Sequence, residues 1–171
     1  MKNQAFTLID LLVVILIVGV LAAIALPQYQ AAVLKSRFSA MIPLMRSLKN
    51  AQERYYTEHG EYATSLLALD IQMPAYCEAW NGLPNMWFCG NEWYIDNVLS
   101  YKPVGYIHIA FCPGNPNQDS YRACEINAIA SLSFYYDNQT NYTQYPERLG
   151  KITCQSEKPL GKKMCKTLLN N

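Results

Sequence analysis

Charge is scarce in this sequence. Asp, Glu, Lys and Arg make up 16% of its 171 residues, against about 25% in ordinary soluble domains. Acids and bases almost cancel, leaving +1 at neutral pH, so overall charge selects neither a polyanion nor an acidic partner. Histidine is scarcer still, with His59 and His108 alone. Neither stands beside a nucleophile motif. GxSxG, the P-loop, the dinucleotide fingerprint and HExxH are all missing, which removes the commonest hydrolase, nucleotide-dependent and zinc-peptidase chemistries. The six cysteines form no CxxC pair, and with two histidines a zinc site is poorly supported. The chain is therefore expected to be no enzyme and to hold no metal or cofactor. It has no internal repeat and no low-complexity tract.

Charge is thinnest in residues 6–26, FTLIDLLVVILIVGVLAAIAL, where the one ionisable side chain is Asp10. As a helix this run spans roughly 31 Å, about the thickness of a bilayer's hydrocarbon core. It is apolar on all faces, as a membrane span is. A carboxylate inside such a helix costs about 2.5–3.5 kcal/mol on insertion, so it normally has a partner. No Lys, Arg or His lies in the run, and the nearest cation in sequence is Lys2. A cut between Ala5 and Phe6 supplies another. The new α-ammonium of Phe6 stands four residues from Asp10, on the same helical face.

The basic leader MKNQA, then Phe6, Thr7, Leu8, Ile9, an acidic residue, Leu11, Leu12 and an apolar run ending Leu26-Pro27-Gln28-Tyr29 resemble the prepilin amino terminus. That is the signature of type IV pilins and of the pseudopilins of type II secretion. The family usually has Gly before the cut and Glu at the acidic position, where this chain has Ala5 and Asp10. The resemblance implies that a prepilin peptidase cuts after Ala5, before the apolar segment, whereas an ordinary signal peptide is cut after it. It further implies N-methylation of Phe6 and a single-pass stay in the bacterial inner membrane. An assembly platform then extracts the chain into a helical filament, an extracellular pilus or a periplasmic pseudopilus. The implied partners are copies of the chain itself, the peptidase, the platform and the bilayer. In the filament Asp10 is implied to pair with the Phe6 ammonium of a neighbouring copy.

After Pro27, which should kink the helix without necessarily ending it, helical periodicity resumes. Leu34, Phe38, Met41, Met45, Leu48 and Tyr55 recur at spacings of four and three, with Gln52 filling the missing step. They form one stripe suited to lie on a sheet. Pro43 should bend or loosen this helix, and Gly60 should cap it in the left-handed conformation. Residues 61–70 read as a loop with a short helical turn capped by Thr64 or Ser65. Residues 71–100, broken by Pro74, Gly82, Pro84 and Gly90, read as an irregular stapled loop whose tryptophans cover one end of a sheet. Strands are expected at 104–112, where Ile107, Ile109 and Phe111 alternate with Tyr106, His108 and Ala110, and at 121–126, 130–136 and 151–155. The fold class is α+β, a long amino-terminal helix on an antiparallel sheet, which is also the arrangement of pilins. The expected divisions are a leader, 1–5; a membrane or filament-core helix, 6–26; its amphipathic second half, 27–58; and a head, 59–171. The head holds a connecting loop, 59–100, a sheet, 101–155, and a carboxy-terminal disulfide region, 154–171.

All six cysteines lie outside the apolar run, and an even number beyond a membrane suggests disulfides in an oxidising space. Fifteen pairings are open. Similar short spacings favour Cys77 with Cys89, Cys112 with Cys124 and Cys154 with Cys165. Near the end, Lys158, Lys162, Lys163 and Lys166 face only Glu157, a candidate contact for DNA or another polyanion. Asn138 and Asn141 open glycosylation sequons. The competing reading is a signal-anchored extracytoplasmic domain that binds DNA or a glycan and never polymerises.

Overall fold

The first described elements are two helices, α1 over Leu8–Ser39 and α2 over Met41–His59. Pro27 lies inside α1 without ending it. The interruption falls at Ala40, and Pro43 explains it. Proline has no N–H to offer the Ser39 carbonyl four residues back, and its ring crowds that carbonyl. As the third residue of α2 its missing donor costs nothing, because the first-turn N–H groups have no helical acceptor anyway. The long helix is therefore interrupted at a single residue, close to the proline expected to bend or loosen it. Gly60 ends α2 at φ 75°, with its N–H bonded to Tyr56 O at 2.8 Å.

The computed structural model describes residues 8–98, 105–114, 124, 126–136 and 146–168. The sequons at Asn138 and Asn141 and the Ala5–Phe6 bond lie outside the described residues. The chain divides at Arg37/Phe38 into two compact units. The second unit is built on six antiparallel strands in sequential order: β1 Cys77–Ala79, β2 Met86–Cys89, β3 Trp93–Val98, β4 Tyr106–Phe111, β5 Ala130–Tyr135 and β6 Ile152–Gln155. A last helix, α3, covers Pro159–Leu168. Helix α2 packs on β4 and β5, and α3 on β5 and β6.

The α2 stripe is the core it was expected to be. Met41, Met45, Leu48 and Gln52 are buried, and so are Ile107, Ile109 and Phe111 of β4 and Leu132 and Phe134 of β5. The registers Ile95↔Ile109 and Ile109↔Leu132 set these side chains on one face. Phe38, Trp93 and Phe111 stack at its end, with ring centroids 4.4 Å apart for the last two and 6.0 Å for the first. Each such fully buried side chain contributes about 1.5–3 kcal/mol.

Two expectations change. Residues 71–100 are not an irregular loop but hold β1, β2 and β3. Period-two alternation was hidden there because both sheet faces are covered. Trp93 and Ile95 face the α2 side, while Phe88 and Tyr94 join Ala110 and the Cys112–Cys124 cystine in a second apolar cluster, with Trp80, Met86 and Ala128 against it. Strands buried on both faces read as unbroken apolar runs. Of the strand expected at 121–126, the described residues Cys124 and Ile126 are helical instead, as is Asn127. Ser65 is the cap of the short turn Leu66–Ala68, its Oγ accepting from Leu67 N at 3.1 Å.

Cysteines pair in sequence: Cys77–Cys89, Cys112–Cys124 and Cys154–Cys165, with Cα separations of 3.9, 5.4 and 5.3 Å. The first joins directly opposed residues of β1 and β2. The third ties β6 to α3. That helix sits so close to the chain before β5 that a Cβ on Gly161 would lie 1.8 Å from Ile129 O and 2.1 Å from Ser156 Oγ. In an exposed helix Gly→Ala stabilises by about 1 kcal/mol. Here the sign reverses, because a backbone carbonyl cannot step aside. Gly161→Ala is expected to cost about 3 kcal/mol, read from the urea midpoint of the detergent-solubilised chain; an unchanged or higher midpoint contradicts this packing.

Candidate functional site

In a folded chain apolar side chains go inside, and in the first unit they do not. The eight consecutive residues from Leu11 to Val18 are each between 45% and 62% exposed. Eight residues make more than two helical turns, so no face of α1 is covered there. Its most apolar window of 18 residues has a mean hydropathy of 3.1, with none of it buried. Burying one such side chain is worth about 1.5–3 kcal/mol, so an uncovered helix of this kind is completed by a bilayer or by other helices. Asp10 lies in its first turn, exposed. Phe6, its expected charge partner, and Ala5 lie outside the described residues.

The head offers a different inventory. Lys162, Lys163 and Lys166 are exposed on α3, opposite the face that buries Met164. Lys162 Nζ lies 3.9 Å from Glu157 Oε2. Lys158, also exposed, precedes α3, and its Nζ donates to Asn127 O. Among the tryptophans, Trp93 is buried in the core, Trp80 packs on the second cluster, and Trp87 is half-buried with its Nε1 donating to Pro84 O. His108 Nδ1 is 3.1 Å from Ser133 Oγ. Burial lowers its pKa to about 4, so its ring is neutral at neutral pH and a weak base. Arg54 holds Asp70 through two bonds of 2.6 and 2.9 Å, and that pairing lowers the Asp70 pKa. Among the described residues no group of three or more His, Cys, Asp or Glu could hold a metal ion.

One constellation went unread in the sequence. Gln52 Nε2 donates to Ala63 O at 3.0 Å and to Tyr136 OH at 2.9 Å, and its Oε1 accepts from Ala63 N at 2.9 Å. Asn97 Nδ2 donates to Ala63 O at 2.7 Å, and the Tyr136 hydroxyl donates to Asn97 Oδ1. All three side chains are buried, and burial raises the Tyr136 pKa. The ring of bonds joins α2, the turn after it, β3 and the end of β5. A glutamine in an apolar stripe was the one signal; nothing marks Asn97 or Tyr136 as its partners.

Comparison with known proteins bears on the amino-terminal part. Residues 1–26 match the prokaryotic N-terminal methylation motif. Over 63 residues the chain is 45% identical to a fimbrial protein of Neisseria meningitidis, covering 37% of each. Over 72 residues it is 39% identical to a type IV major pilin protein of Neisseria gonorrhoeae, covering 42% of this chain and 44% of that one. Over 73 residues it is 40% identical to a fimbrial protein of Pseudomonas aeruginosa, covering 42% and 47%. The matches thus span less than half the length of these relatives. No solved structure matches. The resemblance read from the first thirty residues is shown on its type IV pilin side.

Proposed function

We propose that this chain is a subunit of a type IV pilus. A prepilin peptidase cuts between Ala5 and Phe6, and the new amino terminus is N-methylated and stays cationic. Before assembly α1 holds the chain in the inner membrane, with the head on the far side. An assembly platform then transfers it to a filament in which copies of α1 cover one another. Asp10 sets the register there, paired with the Phe6 ammonium of a neighbour. The chain's role is structural, without a reaction of its own.

The observation that carries this reading is the uncovered apolar helix with an acid in its first turn. A plain anchor needs the apolar run and has no use for Asp10, whose charge costs about 2.5–3.5 kcal/mol in a bilayer. Three cystines in the head fit a destination outside the reducing cytoplasm. Mass spectrometry of the amino terminus tests the proposal. The expected chain begins at methylated Phe6. A chain that begins at Met1 replaces this reading with that of a signal-anchored binding domain.

A further inference from the structure

Of the fifteen ways to pair six cysteines, the head uses the one in which each joins the next along the chain, with separations of 12, 12 and 11 residues. The nearest wrong choices, Cys89 with Cys112 and Cys124 with Cys154, are 23 and 30 residues apart. Doubling a loop costs only about 0.6 kcal/mol in closure entropy, a factor of about three, so loop length by itself leaves wrong pairs common. Nor can the finished fold select the pairs. Cys89 is 1% exposed, Cys112 4% and Cys124 0%. Cys89 lies on β2 opposite Cys77, and Cys112 and Cys124 are packed among Phe88, Tyr94 and Ala110. Thiol–disulfide exchange passes through a mixed disulfide and needs access to sulfur, so no catalyst reaches these two pairs once the sheet and its second cluster have formed. Cys154 and Cys165, between β6 and α3, stay half-buried.

We propose that an extracytoplasmic thiol oxidase, a protein carrying its own reactive disulfide, closes these bonds one after another as the head crosses the membrane, with no disulfide isomerase required. The inference rests on the reading that α1 stays in the membrane while the head passes to the far side, which makes the cysteines appear in chain order, Cys77 first and Cys165 last. The thiolate of the first to appear attacks the oxidase disulfide, so that a mixed disulfide forms and one oxidase thiol leaves. The thiolate of the next to appear attacks the chain's sulfur in that mixed disulfide, the cystine closes and the second oxidase thiol leaves. Two electrons and two protons have then passed from the chain to the oxidase, whose disulfide has become a dithiol. Three rounds in order of appearance yield the observed pairs, and the first two are shut before folding buries them.

Cells producing the full chain test it, with pairs mapped by alkylation and non-reducing peptide mass spectrometry and the side of the head checked with protease on spheroplasts. Without the cell's extracytoplasmic isomerase, the amount of native three-cystine chain is expected to stay within about twofold of that in complete cells. Without its thiol oxidase, that amount is expected to fall about tenfold. Cys89→Ser separates order from folding. In cells lacking the isomerase, Cys77 of that variant is expected to take Cys112, and Cys124 then to take Cys154, whereas Cys165→Ser leaves the first two bonds native. Native Cys112–Cys124 and Cys154–Cys165 bonds in the Cys89→Ser chain overturn the inference. So does loss of the native chain without the isomerase, or its full recovery without the oxidase; the pilus reading survives all three. A head shielded from protease in spheroplasts, with its thiols free, removes the pilus reading and the inference with it.

Discussion

On the proposed reading, Asp10→Ala is expected to leave the chain in the membrane and to take it out of the filament. Retention is unharmed, because removing a carboxylate from a bilayer helix relieves a cost of about 2.5–3.5 kcal/mol. Incorporation suffers, because on the proposed reading the Phe6 ammonium is then packed among helices without its counter-charge. Opposite charges about 4 Å apart attract by about 1 kcal/mol in water and by about 4 kcal/mol at an effective dielectric near 20. Leaving one member of a buried pair alone costs about 3–5 kcal/mol, which is roughly a hundred- to a thousandfold in the equilibrium for incorporation. Immunoblots of sheared filaments against the membrane fraction measure it. Asp10→Asn, equal in shape and uncharged, is expected to behave like Ala, and Asp10→Glu to retain assembly. Normal yield from the alanine or asparagine variant removes the charge pair from the mechanism.

Gln52→Ala is expected to lower the stability of the head by about 3–5 kcal/mol. It removes three hydrogen bonds at once, two donated by Nε2 and one accepted by Oε1. The Ala63 N–H is left buried without that acceptor, a loss of about 1–3 kcal/mol for such a group, and the excised side chain leaves a cavity between α2 and the sheet that adds to it. Tyr136→Phe, which loses the one hydroxyl linking Gln52 to Asn97, is expected to cost less, about 1–2 kcal/mol. Urea unfolding of the detergent-solubilised chain, followed by tryptophan fluorescence, separates the two. Gln52→Ala within about 0.5 kcal/mol of wild type would show that the network is decoration, since an ordinary surface change does no more than that.

Much of this molecule was legible because its strongest signals are local. The apolar run, Asp10 and the α2 stripe are patterns in neighbouring residues, and burial follows them from Phe38 to Gln52. Gly60 and Ser65 act within a few residues of themselves, as caps do. Strand β4 alternates because its Ile107, Ile109 and Phe111 face α2 while Tyr106 and His108 are only half-buried. Strands β1 to β3 were missed for the converse reason. The second face of β2 and β3 is covered by Cys124 and Ala128, tied there by the Cys112–Cys124 bond, and no window of sequence contains both partners. Cys124 and Ile126 were misread because a short stretch suits a strand or a helical turn equally, and contacts decide.

By itself the sequence determined that this chain has an apolar helix carrying one acid, a stripe to lay on a sheet and six cysteines at three short spacings. Composition and period suffice for that, since each depends on residues close in the chain. The tertiary structure alone decided that Gly161 cannot carry a side chain and that Gln52 closes a ring with residues 45 and 84 positions away. Partners so far apart in sequence meet only when the strand order brings their elements together.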